Sequence, residues 1–193
     1  MGSNSLAEFI FHFLPQAVFK CSLLSAPALL IIWHLKQRLI EKRSQVIAVN
    51  VAMLIAALLS LAIMVYEFYL AYFSGAEYYQ YSINRARGAY WWALGGQLIA
   101  YQLLPQLFWL RRFRQSVYAA LAIVIPQLVL YYLNKYIILY EVGRLDINHV
   151  LSYFIEDWFY YIQIWCVYSL LILLICFINK RRRKTTLLSS LKH

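Results

Sequence analysis

A helical membrane protein with five crossings is the fold class this sequence predicts, and three observations predict it. Hydrophobic residues fill 63% of the 193 positions and charged residues only 13%, about half the roughly 25% charged content of a soluble domain. The apolar residues gather into five runs, each long enough for the roughly 20 residues that a helix needs to cross the hydrocarbon core. Basic side chains recur on alternate connections between the runs, the asymmetry that orients a polytopic chain. Within lipid each backbone amide must find its partner inside its own segment, so helices are the expected elements.

The first span is expected at 8–35. It does not read as a removable leader, because no positive segment precedes its apolar run, it contains Glu8 and Lys20, and it is too long. Lys20 either stays inside, where it needs an acid such as Glu156 or Asp157, or snorkels outward. The second span, 46–73, places Glu67 near its end in MVYEFYLAYFSG. The third, 89–110, carries Gly95, Gly96, Gln97, Gln102, Pro105 and Gln106. The fourth, 117–140, repeats a Pro-Gln pair at Pro126 and Gln127, and the fifth, 153–178, precedes a basic tail at 179–193. No stretch outside the spans is long enough to bury a core of its own, so 1–193 reads as one transmembrane domain.

The net charge of +10 is a matter of topology. Lys36, Arg38, Lys42 and Arg43 follow the first span, Arg111, Arg112 and Arg114 the third, and Lys180 through Lys184 with Lys192 the fifth; Arg85, Arg87, Lys135 and Arg144 lie opposite. The positive-inside rule puts the amino terminus outside and the tail in the cytoplasm of a cell with an inner (plasma) membrane. The tail is expected to anchor on anionic lipid, and no nucleic acid is expected as a partner. Most of the seventeen tyrosines and six tryptophans cluster near span ends, where amphipathic rings sit at headgroup level. Cys21, Cys166 and Cys176 follow no zinc, haem or iron–sulfur spacing, and no metal site is expected.

Glu67 is the best single candidate for chemistry. A carboxyl at that depth is costly unless paired, protonated or wet; it serves either in proton transfer or in a structural pair with Arg85 or Arg87. Gln102 and Gln106, four residues apart, share one helix face, while Gln97 is displaced by more than a quarter-turn. That polar stripe is either an interhelical hydrogen-bonding seam or the lining of a quinone or proton path, and Gly95 and Gly96 let another helix come close. Each proline frees a carbonyl one turn earlier, and the neighbouring glutamine amide can satisfy either it or a partner helix. No nucleophile, metal cluster or phosphate loop is apparent, so the chain is not expected to catalyse a reaction alone.

Three linked stretches, YEFYLAYFSGAEYY (66–79), INRARGAYWW (83–92) and LLPQLFWLRRFRQS (103–116), resemble the second four-helix bundle of NrfD-like integral membrane subunits, most closely the quinol-oxidising subunits of alternative complex III. The resemblance covers residues 60–140 and is carried by Glu67, Asn84, Arg85, Gly88, Pro105, Gln106 and Trp109. It implies that helices 2–5 form a four-helix bundle, and that Asn84, Arg85, Arg87 and Gly88 lie where an iron–sulfur or cytochrome subunit docks. It also implies a quinone or menaquinone shared with those partners, none of it covalently bound. Two departures stand out: members carry two such bundles, with the quinol pocket chiefly in the other, and Asn134 and Lys135 stand where the family tends to have an acid and an arginine.

The expected function is that of an integral subunit of a respiratory quinol:electron-acceptor oxidoreductase complex, supporting a quinone or proton path. Self-association into a homodimer would re-create the two-bundle architecture. The rival expectations are a small membrane transporter or channel and a membrane assembly or structural protein.

Overall fold

The computed structural model describes residues 9–34, 39–73, 91–141 and 158–190. A π-helical turn over Phe9–Phe13 leads into α1, Leu14–His34, and α2 follows at Leu39–Phe73. The short α3, Trp91–Gln97, runs on through a π-helical stretch, Leu98–Leu103, and a 3-10 stretch, Leu104–Trp109. The single turn α4, Arg111–Arg114, then precedes α5, Val117–Glu141, and α6, Trp158–Ser190. The segments Leu14–Ile31, Lys42–Phe73 and Tyr160–Arg181 are long and apolar enough to cross a membrane, and Val117–Leu133 is a shorter apolar stretch. This is an all-helical membrane protein among its described residues.

The helices stand where the apolar runs stand, with differences that have physical causes. The second helix begins ahead of its apolar run, with its first turns tied to neighbours. Lys42 Nζ donates to the Trp33 carbonyl at 3.0 Å, a cation at the negative end of α1, and Arg43 donates to the Gln115 side chain. The fifth continues into the basic tail as far as Ser190, since lysine and arginine are good helix formers.

The packing differs from a bundle formed by the second to fifth helices alone. Helix α1 lies at the centre, against α2, α5 and α6, so α5 and α6 meet chiefly through it; α2 also packs on α6 and on the broken third segment, which packs on α5. The reason lies in side-chain size. Ala17, Val18, Cys21, Ser22 and Ala26 are all buried and spread over about half the circumference of α1, so neighbours approach from several sides. Ala48, Ala52, Ala56 and Ala57 do the same on α2. By contrast α6 leaves Leu170, Leu173 and Phe177 exposed, an apolar face that suits lipid rather than water.

Polar side chains tie the elements together at few points. Asn50, fully buried on α2, donates from Nδ2 to the Arg114 and Ser116 carbonyls at 3.0 and 3.3 Å, and Ser116 Oγ caps α5 by accepting from the Ala119 amide. Between α1 and α6, Ser25 Oγ and the Tyr168 hydroxyl lie 2.6 Å apart. Lys20 packs on the Tyr160 ring, 4.6 Å from its centroid, and donates to its hydroxyl at 3.3 Å. That hydroxyl in turn donates to Gln16 Oε1 at 3.0 Å. Aromatic faces thus accommodate the Lys20 ammonium; Glu156 and Asp157 lie outside the described residues.

Candidate functional site

The third segment is broken by its own sequence. Pro105 has no N–H, and its ring crowds the carbonyl four residues earlier. Ahead of it the helix widens: the Leu104 amide donates to the Ile99 carbonyl, five residues back, the π-helical pattern. In that register the Ala100 carbonyl falls to residue 105, a proline with nothing to donate. Gln127 of α5 supplies the missing donor, its Nε2 2.9 Å from the Ala100 carbonyl, and the Tyr101 hydroxyl returns a bond to the Gln127 carbonyl at 2.8 Å. On the near side, Gln106 Nε2 donates to the Gln102 carbonyl at 3.0 Å, and Trp109 Nε1 donates to Gln106 Oε1 at 2.9 Å. The glutamines that follow Pro105 and Pro126 therefore each serve a carbonyl at the Pro105 break, one from its own segment and one from across the interface.

The π turn also decides which glutamines share a face. Gln97 and Gln102 are five residues apart, which a regular α-helix would set well apart around its axis. One i→i+5 turn brings them into line, and both line a cavity of about 330 Å³. Three stripes at helical spacing meet there: His12, Pro15, Gln16 and Phe19 from the start of the first helix; Ser60, Ile63, Met64, Glu67 and Phe68 from α2; and Leu94, Gln97, Leu98 and Gln102 from the third segment. Gln102 is 9% exposed. Its Nε2 donates to Ser60 Oγ at 3.3 Å, while its Oε1 is buried with no partner. Glu67 is exposed at the cavity.

Of the residues singled out by sequence, Glu67 and Gln102 come together on this cavity. Gln106 stands apart from it, engaged in the helix break. Asn84, Arg85, Arg87 and Gly88 lie outside the described residues, and so does the pairing of Glu67 with either arginine. Gln97, which regular helical spacing sets apart from Gln102, lines the cavity with it, as does His12; Gln16 and Ser60 are cavity residues that sequence reasoning passed over, and the i, i+3, i+4, i+7 recurrence of residues 12, 15, 16 and 19 was the available signal. Gly96 meets Leu130 of α5 at close range, whereas Gly95 has open space beside it.

Chemically, the site offers a carboxyl, several amides, a hydroxyl and an imidazole around an apolar-walled cavity. Such a set orients a small molecule with an apolar body and a polar edge, and its volume falls within the range of about 300–1,000 Å³ common for ligand pockets. No three histidine, cysteine or acidic side chains converge as a metal site would need among the described residues. No family model matches the chain, and no curated protein or solved structure is found to match it.

Proposed function

We propose that this chain is a five-crossing integral subunit of a quinol:electron-acceptor oxidoreductase complex, and that the cavity beside Glu67 and Gln102 holds the head of a quinone. The observation that carries the reading is the convergence of these two residues, from different segments, on one apolar-walled cavity of about 330 Å³. Glu67 would take one of the two protons that a quinol releases on oxidation, the other leaving to the outer aqueous phase, and the two electrons would pass to a redox partner subunit. The NrfD-like sequence resemblance supplies the quinol class and the partner type.

The topology in this proposal has an outer amino terminus and a cytoplasmic tail, with the cavity toward the outer surface. Its support is the distribution of basic residues and the reach of the broken third segment. Trp91–Trp109 rises about 30 Å when its 3-10 part is given the longer rise, matching the hydrocarbon thickness of about 30 Å. A second reading, a small transporter, is favoured by that same broken helix beside a cavity that carries Glu67 and Gln102, the arrangement transporters use at substrate sites.

Affinity purification from membranes in mild detergent distinguishes the two. Quinone together with an iron–sulfur or haem protein in the eluate supports the oxidoreductase subunit. A colourless preparation without quinone that moves an ion or solute into liposomes on its own sinks it in favour of transport.

A further inference from the structure

We propose that the groove on α6 that opens beside Lys20 is a site for one acidic phospholipid, with its phosphate on the Lys20 ammonium and an acyl chain laid along the helix. The inference is independent of what the cavity beside Glu67 holds.

The groove has a volume of about 720 Å³ and follows one face of α6. Tyr161, Trp165, Ser169 and Leu173 stand four residues apart along it, with Ile162 and Leu170 beside them, so they form a single stripe. Its lower part is apolar and open, with Leu170 66% and Leu173 65% exposed. From Tyr161 to Leu173 the helix rises about 18 Å, slightly more than one leaflet's half of the hydrocarbon core of about 30 Å. A hydrocarbon chain hanging from headgroup level has that reach. The upper end of the groove is at that level, because the apolar part of α6 begins at Tyr160 and tyrosines settle at the interface.

Lys20 lies beyond the first turn of α1, yet its contacts set it level with the start of α6. Its Nζ donates to the Tyr160 hydroxyl at 3.3 Å, while Ser25 meets Tyr168 further down, so the two helices run parallel. Nζ is also 6.0 Å from the centroid of the Tyr161 ring, which walls the upper end of the groove. A phosphate seated there is within reach of the ammonium. An ammonium has three N–H donors, and the Tyr160 hydroxyl takes one. Among the described residues its other partners are the faces of Tyr160 and Tyr161, which attract a cation without neutralising it. An acidic phospholipid brings the missing anion and an apolar chain in one molecule. A partner helix would have to carry a carboxylate and an apolar stripe in matching register, and a zwitterionic headgroup brings a cation of its own to the same place.

The test places the full chain in phosphatidylcholine nanodiscs with a minor fraction of phosphatidylglycerol whose acyl chains are brominated, or in parallel the same fraction of brominated phosphatidylcholine. Bromine quenches tryptophan on contact, and quenching at Trp165 is read as the difference between the wild type and Trp165→Phe. The wild type is expected to favour phosphatidylglycerol about fivefold, the ratio for one basic side chain acting on an anionic lipid at the membrane surface. Lys20→Gln should bring that ratio close to one and Lys20→Arg should keep it. Lys180→Gln, which removes a cation near the other end of α6, should leave it unchanged. Equal quenching by the two lipids in the wild type, or a preference that survives Lys20→Gln, overturns the site. Quenching of Trp165 by neither lipid overturns it in favour of a protein neighbour over the groove. Should Lys20→Gln fail to fold, the wild-type ratio at low and high salt decides: it should fall toward one as salt screens the contact, and a ratio indifferent to salt refutes the role of the ammonium.

Discussion

Replacing Gln127 with leucine should destabilise the bundle by about 1–2 kcal/mol, and the helix break dictates that magnitude. Gln127 is fully buried, and its Nε2 is 2.9 Å from the Ala100 carbonyl. No backbone donor can replace it, because the π register assigns that carbonyl to Pro105. Leaving a buried carbonyl unmet costs about 1–3 kcal/mol. Against this, leucine also removes Gln127 Oε1, itself buried and unpartnered, and interhelical hydrogen bonds in membrane proteins average only about 0.6 kcal/mol. Leucine is slightly larger than glutamine, so no cavity is formed and any further cost comes from crowding. The assay is reversible unfolding in bicelles, applied to a four-member cycle with Pro105→Ala. Alanine at 105 restores an N–H facing the Ala100 carbonyl, which makes the Gln127 amide redundant. In that background the leucine substitution should cost about 1 kcal/mol less than in the wild type, well beyond the additivity error of about 0.5 kcal/mol. Equal costs in the two backgrounds would refute the account of the break.

Other substitutions probe the packing and the site. Gly95→Ala meets nothing within 4 Å and should stabilise α3 by about 0.5–1 kcal/mol through helix propensity. Gly96→Ala brings a Cβ within 3.0 Å of Leu130 Cδ2, so Leu130 must give and the gain should vanish; equal melting temperatures for the two variants would contradict the close approach of α5. Asn50→Leu removes both donors to the Arg114 and Ser116 carbonyls. It should cost about 2 kcal/mol and speed amide hydrogen exchange over 111–116, and unchanged exchange there would count against the clamp. If the chain serves a quinol-oxidising complex as proposed, Glu67→Gln should leave the fold intact and lower quinol turnover of that complex by about a hundredfold. Full turnover in that variant would remove the carboxyl from the proton path.

The sequence by itself determined the membrane class and the positions of the helices, because a bilayer imposes a local rule: about 20 apolar residues must satisfy their own backbone. It also contained the logic of the proline breaks, since a missing N–H and a neighbouring amide are adjacent in the chain. Only the tertiary structure decided which faces meet. The widened turn at Leu98–Leu103 rotates Gln97 into line with Gln102, and Gln106 is drawn into the break instead of the cavity. Gln127 reads from sequence as the neighbour of Pro126, and becomes the partner of Ala100 only when α5 lies beside the π turn. The central place of α1 was hidden for the same reason. Hydropathy records how much of a helix avoids water, but lipid and protein neighbours satisfy it equally. The choice between them rests on small side chains such as Ala17 and Ala26 fitting against particular partners.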